Sequence, residues 1–365
     1  MRLLICAGGT GGGVNPALAV LQAISSNAEM LWVGGEGGME AILVTRAGIP
    51  FRTIPAAGLH GVGLRKLPGN IWQLGRGVAA ARQILRDFRP DALFFTGGYL
   101  AVPMALAGWR VPSMLYVPDI EPGLAHKTLA RFADCIATTT EESSKYFKHA
   151  TIVPCGYPIR SELLKWKRPQ ARKALGLAAD LPVVLVTGGS KGARNLNRAL
   201  LAGLPSLLEA AQVIHLTGEL DWPEVKNVAV EMNARHHGRY HAHSYLHEEM
   251  GAALAAADLV ISRAGASTLG EYPLFGLPAL LVPYPYAWQY QKVNADFLVR
   301  HGAAEMLADD PQLAERLVTR VLELLKDKKR LAGMRKAMQS LAQPQAAEKI
   351  GRHLVALAEK GRNRG

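Results

Sequence analysis

Short apolar runs alternate with stretches of helical periodicity along nearly the whole chain. In the first half the runs are Leu3–Ala7, Met30–Val33, Ala92–Phe95, Ser113–Val117, Cys135–Thr138 and Thr151–Val153. Patterns with helical spacing lie between them, around residues 16–26, 37–47, 69–88, 101–108, 124–132 and 141–147. Runs that are apolar throughout mark strands covered on both faces, and strand–helix alternation implies a parallel sheet. A second series follows at Val183–Thr187, Gln212–Leu216, Arg239–His243, Leu259–Ser262, Ala279–Pro283 and Ala304–Leu307, and residues 311–360 are mostly helical. Pro154-Cys155-Gly156-Tyr157-Pro158 punctuates the end of the first series and places a domain boundary near residue 160. The pattern therefore predicts an α/β chain with domains at 1–160 and 161–340. A C-terminal helix within 341–365 is expected to pack back toward the N-terminal domain.

Each series opens on the same feature. One copy is Leu3-Leu4-Ile5-Cys6-Ala7-Gly8-Gly9-Thr10-Gly11-Gly12-Gly13, and the other is Val183-Val184-Leu185-Val186-Thr187-Gly188-Gly189-Ser190-Lys191-Gly192-Ala193. An apolar run breaks into glycines and a hydroxyl residue, then resumes as a helical pattern. That is a strand–turn–helix start whose backbone N–H groups are free to hold an anion. Two such starts predict two Rossmann-like domains facing each other across a cleft. Neither copy is a dinucleotide fingerprint: partners of Gly9 would fall at Gly11 and at 14, which is Val14, and no P-loop run occurs. A single glycine turn reads as packing; a pair in register favours a phosphate cradle. Ligands of open parallel sheets sit beyond the carboxyl ends of the strands. That directs attention to residues 8–13, 96–99, 118–123, 188–194, 244–247, 263–271 and 284–294.

Composition narrows the classes. The 365 residues suffice for two cores, and an apolar content of 49% with 20% charged residues is ordinary for a globular chain. Cys6, Cys135 and Cys155 have no metal-like spacing, which argues for a reducing compartment. The N-terminus enters a strand without a signal-peptide layout. Residues 92–109 and 272–291 lack Asp, Glu, Lys and Arg, but glycines and prolines interrupt both, so neither reads as a membrane span. The net charge of +12 is concentrated in part at residues 59–90, where Arg65, Lys66, Arg76, Arg82, Arg86 and Arg89 face a single acid, Asp87. Leu64, Leu67, Ile71, Trp72, Leu74 and Ile84 are interleaved with them. Such a segment suits either an anionic membrane surface or a solvated helix face that also packs inward. No nucleic-acid recognition motif accompanies the charge.

Taken in order, the turns resemble the MurG family of peptidoglycan glycosyltransferases. The resemblance is carried by Gly8-Gly9-Thr10-Gly11-Gly12, Thr96-Gly97-Gly98-Tyr99, the run Gly188 to Asn197, and Arg263-Ala264-Gly265-Ala266-Ser267-Thr268-Leu269-Gly270-Glu271. Gly276-Leu277-Pro278-Ala279, Val282-Pro283-Tyr284-Pro285 and Gln291-Lys292-Val293-Asn294-Ala295 extend it, so it spans almost the whole chain. It implies a GT-B fold and an inverting transfer of GlcNAc from UDP-GlcNAc to lipid I, without metal or other cofactor, at the cytoplasmic face of the cell membrane. On the donor side it implies that Glu271 takes the ribose hydroxyls and that Gly189 and Ser190 face the diphosphate. Arg160 is implied to pair with phosphate, the Leu246 backbone to read uracil, and Gln291 to contact sugar hydroxyls. Ala266, Thr268 and Leu269 complete the donor set. On the acceptor side it implies roles for Thr10, Gly11, Gly12, Gly13 and Tyr99, with a polyprenyl-diphosphate-linked acceptor.

The acceptor half departs from the family. Its members place His where this chain has Gly13, read His-Glu-Gln-Asn where this chain has Tyr116-Val117-Pro118-Asp119, and read Arg-Met-Glu where this chain has Gly38-Met39-Glu40. Attack by an acceptor hydroxyl requires a base. Asp119 is the candidate replacement, with Glu121, His60 and His126 behind it. His236, His237, His241, His243 and His247 form a second cluster, yet they read as strand and turn, where i and i+4 side chains do not converge on a metal. The missing histidine keeps other readings open: a different lipid or glycan acceptor, a non-catalytic nucleotide-sugar binder, or an epimerase that needs no acceptor.

Overall fold

The computed structural model describes residues 1–8, 11–24, 28–38, 40–55, 67–148, 151–189, 191–286 and 290–363. These divide into two units, Met1–Arg160 with Pro344–Gly365, and Ser161–Gln343. The first unit contains β1 (Arg2–Cys6), α1 (Gly11–Gln22), β2 (Glu29–Gly35), α2 (Glu40–Arg46), β3 (Phe51–Ile54) and α3 (Leu67–Phe88). It continues through β4 (Ala92–Phe95), α4 (Ala101–Ala107), β5 (Ser113–Val117), α5 (Leu124–Leu129), β6 (Cys135–Thr138) and β7 (Thr151–Pro154). Its sheet is parallel throughout in the order β3-β2-β1-β4-β5-β6-β7. Leu4, Cys6, Val33, Phe95, Leu115 and Val117 pack one sheet face against the covering helices.

The second unit runs α6 (Arg168–Ala174), β8 (Val183–Thr187), α7 (Arg194–Ala210), β9 (Gln212–Leu216), α8 (Trp222–Arg235), β10 (Tyr240–His243) and α9 (Met250–Ala256). It ends with β11 (Leu259–Ser262), α10 (Glu271–Phe275), β12 (Ala279–Leu281), α11 (Tyr290–Arg300), β13 (Ala304–Met306), α12 (Leu313–Lys326) and α13 (Lys328–Ser340). Its six strands are parallel in the order β10-β9-β8-β11-β12-β13. At the amino ends of its strands Asp258 is ringed by arginines. It accepts from the Val183 N–H at 2.9 Å and Arg172 Nη2 at 2.8 Å, and pairs with Arg168. The last helix, α14 (Ala346–Arg362), returns to the first unit and buries Ile350, Leu354 and Ala358 against α1, β4 and β5.

Three elements differ from the sequence pattern, each for a physical reason. The edge strand β3, Phe-Arg-Thr-Ile, pairs only with β2 and exposes Arg52 and Thr53, so it carries no continuous apolar run. Helix α1 starts at Gly11, inside the glycine run, where poor helix propensity hides it. Glu141–Tyr146 winds as a 3₁₀ helix rather than an α-helix.

Candidate functional site

In both sheets the strand order reverses direction beside the first strand of the unit, between β1 and β4 and between β8 and β11. Loops leave in opposite directions there and open a crevice at the carboxyl ends. Both glycine turns sit at these switch points.

In the second unit the turn after β8 folds on itself. The Gly189 N–H donates to Thr187 Oγ1 at 3.2 Å, and the Gly192 N–H to the Gly189 carbonyl at 2.9 Å. Gly189 and Gly192 have φ of +82° and +75°. A Cβ on Gly192 would collide with the Thr217 carbonyl, so glycine is required there twice over. Helix α7 then begins at Arg194, behind Ala193, which offers no side-chain cap. Its first-turn N–H groups are open to an anion. Ser190 lies outside the described residues.

A buried polar chain supports this turn. His215 Nδ1 meets the Tyr240 hydroxyl at 2.7 Å, and His215 Nε2 meets Asn197 Oδ1 at 3.0 Å. Asn197 Nδ2 donates to Asp221 Oδ2 at 2.7 Å and to the Thr217 carbonyl at 2.9 Å, and Arg194 Nε reaches Asp221 Oδ1 at 3.0 Å. Because Asn197 Oδ1 can only accept, His215 Nε2 carries the proton and Nδ1 accepts from tyrosine. Burial holds His215 neutral, its pKa pushed down to about 3.

The turn after β11 places the remaining donor-side candidates. Glu271 is the first residue of α10, half-buried. Ala266 opens a 3₁₀ turn. Thr268 and Leu269 are buried, and Thr268 Oγ1 donates to the Gly265 carbonyl at 2.7 Å. Their side chains therefore build the turn itself. Gln291 Oε1 accepts from the Tyr284 N–H at 2.9 Å, which leaves its amide nitrogen to donate. Leu246 is buried next to exposed Tyr245. Arg160 ends the first unit, half-buried, without a hydrogen bond or ion pair among the described residues.

One organising pair was absent from the sequence reading. Arg263 Nη2 lies 2.7 Å from Asp309 Oδ2, both side chains nearly buried, and Arg263 Nη1 donates to the Val282 carbonyl at 2.9 Å. Asp309 Oδ1 also accepts from Asn195 Nδ2 at 3.2 Å. The loops after β8, β11, β12 and β13 are thus tied together by one carboxylate and one guanidinium.

In the first unit, Gly11 begins α1, Gly12 is exposed on its first turn, and the Gly13 carbonyl accepts from Thr96 Oγ1 at 2.8 Å. Thr10 and His60 lie outside the described residues. The buried Glu40 carboxylate accepts from the Gly35 N–H at 2.9 Å beneath Gly8. Tyr99 is exposed after Gly97 and Gly98, which have φ of +107° and +85°. Tyr116 and Val117 are fully buried residues of β5, as the apolar run Ser113–Val117 predicts. The Tyr116 hydroxyl meets Thr139 Oγ1 at 2.7 Å, and burial pushes its pKa well up. Asp119 is half-buried in the following turn, and Glu121 stands 3.8 Å from Lys127. His126 Nε2 lies 3.2 Å from the Thr96 carbonyl. The described residues hold no histidine, cysteine or carboxylate group arranged for a metal; His236 pairs instead with Glu209 at 3.2 Å.

Residues 3–138 match the Glycosyltransferase family 28 N-terminal domain, and residues 183–350 match the Glycosyltransferase family 28 C-terminal domain. A UDP-N-acetylglucosamine--N-acetylmuramyl-(pentapeptide) pyrophosphoryl-undecaprenol N-acetylglucosamine transferase of Roseiflexus sp. (strain RS-1) is 37% identical, over 96% of this chain and 93% of that protein. The crystal structure of Acinetobacter baumannii MurG superposes with a TM-score of 0.76 at 25% identity, covering 97% of this chain and 99% of the other. This chain belongs to the MurG family. Its two parallel-sheet, Rossmann-like domains give the GT-B class expected from the sequence. Outside the MurG family, the UDP-GlcNAc 2-epimerase of Neisseria meningitidis shares the fold, with a TM-score of 0.68 at 14% identity over 98% of this chain and 100% of that one.

Proposed function

We propose that this chain is an inverting glycosyltransferase that moves GlcNAc from UDP-GlcNAc to lipid I and so makes lipid II. The observation that carries the reading is the full-length relation to transferases named for that reaction, with a glycine turn at each switch point.

On the donor side, the open N-terminus of α7 and the Gly188–Gly192 turn offer backbone N–H groups to the diphosphate, and Arg160 adds a cation. Glu271 suits ribose, because a carboxylate accepts from two hydroxyls at once, and the free amide nitrogen of Gln291 suits a sugar oxygen. The Leu246 backbone reads uracil. Ala266, Thr268 and Leu269 contribute main-chain atoms, their turn being fixed by Thr268. The acceptor hydroxyl attacks the anomeric carbon from the face opposite UDP. As the new C–O bond forms, the bond to the diphosphate breaks, and the departing charge falls on N–H groups already in place.

The acceptor is anchored in a membrane, and one face of the first unit suits an anionic bilayer. Trp72 and Trp109 are 71% and 63% exposed, and the Arg110 guanidinium lies 4.7 Å over the Trp109 ring. Arg76, Arg82 and Arg86 are exposed along α3, whereas Ile84 turns into the core. No helix among the described residues is long and apolar enough to cross a membrane. Peripheral docking at the cytoplasmic face fits these features.

Transfer of labelled GlcNAc to a short-chain lipid I analogue tests the reaction. Wild type should transfer, and Glu271→Ala should lower kcat/KM roughly 10- to 100-fold through the donor, the worth of one or two hydrogen bonds to a charged group. UDP binding without transfer would assign the chain a different acceptor. Flotation with anionic liposomes at low salt tests docking; no association would remove it.

A further inference from the structure

The first glycine turn, Gly8-Gly9-Thr10-Gly11-Gly12-Gly13, carries no titratable side chain. A proton must nevertheless leave that hydroxyl as it attacks. We infer that His126 is the base that takes it, acting through Nδ1 while its Nε2 is held by the Thr96 carbonyl. The inference rests on the transferase reading above.

The geometry begins at the switch point between β1 and β4. Thr96 is the residue after β4, and it reaches both ways: its hydroxyl donates to Gly13 on the first turn, and its carbonyl lies 3.2 Å from His126 Nε2. A carbonyl oxygen only accepts, so Nε2 carries the hydrogen and the lone pair is on Nδ1. Among the described residues Nδ1 has no hydrogen-bond partner, yet it is not among the buried polar atoms left without one. The residue as a whole is half-buried. The ring's place is made by glycine: any Cβ on Gly97 would collide with the imidazole, and one on Gly98 would press on the Gly8 carbonyl. Gly8, Gly13, Thr96, Gly98 and His126 form one cluster.

The other titratable groups nearby are less suited. Glu40 is buried beneath Gly8 and accepts from the Gly35 N–H. Glu121 pairs with Lys127, and Asp119 already has a partner. Tyr99 is an exposed phenol on the adjoining turn, beyond Gly98. Tyr116 and Cys6 are sealed in the strands. Burial also holds the His126 pKa below its ordinary value, so the ring is neutral and ready to accept at pH 7. The charged residues of its own loop and helix are Asp119, Glu121 and Lys127, of which Glu121 and Lys127 pair with each other. Glu40 lies beyond Gly8, and Tyr99 beyond Gly98. In the step itself the hydroxyl proton moves to Nδ1 as the oxygen bonds to the anomeric carbon and the diphosphate departs. The imidazolium then returns the proton to water.

The test uses full-length protein, the lipid I analogue, and His126→Gln and His126→Ala. Glutamine keeps a donor for the Thr96 carbonyl, so its UDP binding and melting temperature should match wild type. Its kcat should fall roughly 10²- to 10⁴-fold with KM for UDP-GlcNAc unchanged. In wild type the acid limb of kcat/KM should lie below pH 6.5, and it should disappear in His126→Gln. Added imidazole should restore part of the His126→Ala rate and none of the Glu271→Ala rate. A glutamine variant within about threefold of wild type, with its acid limb intact, overturns the role of His126 and leaves the transferase reading standing. Absence of transfer by wild type overturns both.

Discussion

In the second unit, the turn after β8 is held from beneath by side chains. Arg194, Asn197, Asp221, His215 and Tyr240 make an unbroken run of hydrogen bonds, and Gly192 lies against the backbone of Thr217 and Gly218. In the first unit, the turn after β1 opens from a similar sequence but is held by a threonine hydroxyl on the Gly13 carbonyl and by Glu40 beneath Gly8. Its glycines enter a helix directly, with ordinary φ at Gly13, while the second turn needs left-handed glycines before its helix starts. The difference fits the proposed roles. A diphosphate is recognised by backbone N–H groups whose spacing must not vary, and a buried polar chain fixes that spacing. Gly13 is instead lined by its close neighbours, a Cβ there meeting Thr96 Oγ1 at 3.3 Å and the Gly8 carbonyl at 3.8 Å, with no polar chain beneath it among the described residues. Similar glycine strings thus report a shared topology, each at the switch point of its sheet.

The sharpest way to break this comparison is a pair of identical substitutions. Gly192→Ala forces a Cβ into the Thr217 carbonyl at a positive φ, and should cost about 2–4 kcal/mol in urea unfolding together with UDP affinity. Gly13→Ala places its Cβ 3.3 Å from Thr96 Oγ1 in a helical turn, and should change stability by less than about 1 kcal/mol. Equal losses would show the two turns to be equally constrained.

A second effect separates the units by pH. His215 stays neutral in the folded chain down to about pH 3, whereas the unfolded chain protonates it near 6.5. Stability from this site is complete above pH 6.5. It is lost as pH falls from 6.5 toward 3, by up to about 1.4 kcal/mol per pH unit. Unfolding free energies between pH 7 and 4.5 should show a shallower slope in His215→Gln; an unchanged slope would place the proton uptake elsewhere.

The smallest effect belongs to the first unit. Thr96→Val removes the single hydroxyl bond to the Gly13 carbonyl at constant shape, and should cost about 1 kcal/mol by thermal unfolding. A loss several times larger would mean that the first turn also depends on a wider network.

Fully buried strands were legible because their residues are apolar on both faces. Ala92–Phe95, Ser113–Val117, Cys135–Thr138, Val183–Thr187, Gln212–Leu216 and Leu259–Ser262 have the ends read from the sequence. The glycine turns were visible because glycine answers a backbone requirement that leaves a trace in composition. The side chains that hold them were not. Arg263 finds Asp309, and Asn197 finds His215 and Asp221, only after strands have been stacked side by side.

Helix α14 gives the first unit an unusual history. Ile350, Leu354 and Ala358 complete a core whose other residues lie before position 161. Synthesis at roughly 5–20 residues per second delivers the entire second unit before that helix leaves the ribosome. The first unit to be made is thus the last to be finished, and until the closing helix arrives its α1 face stays exposed to whatever the cell puts against it.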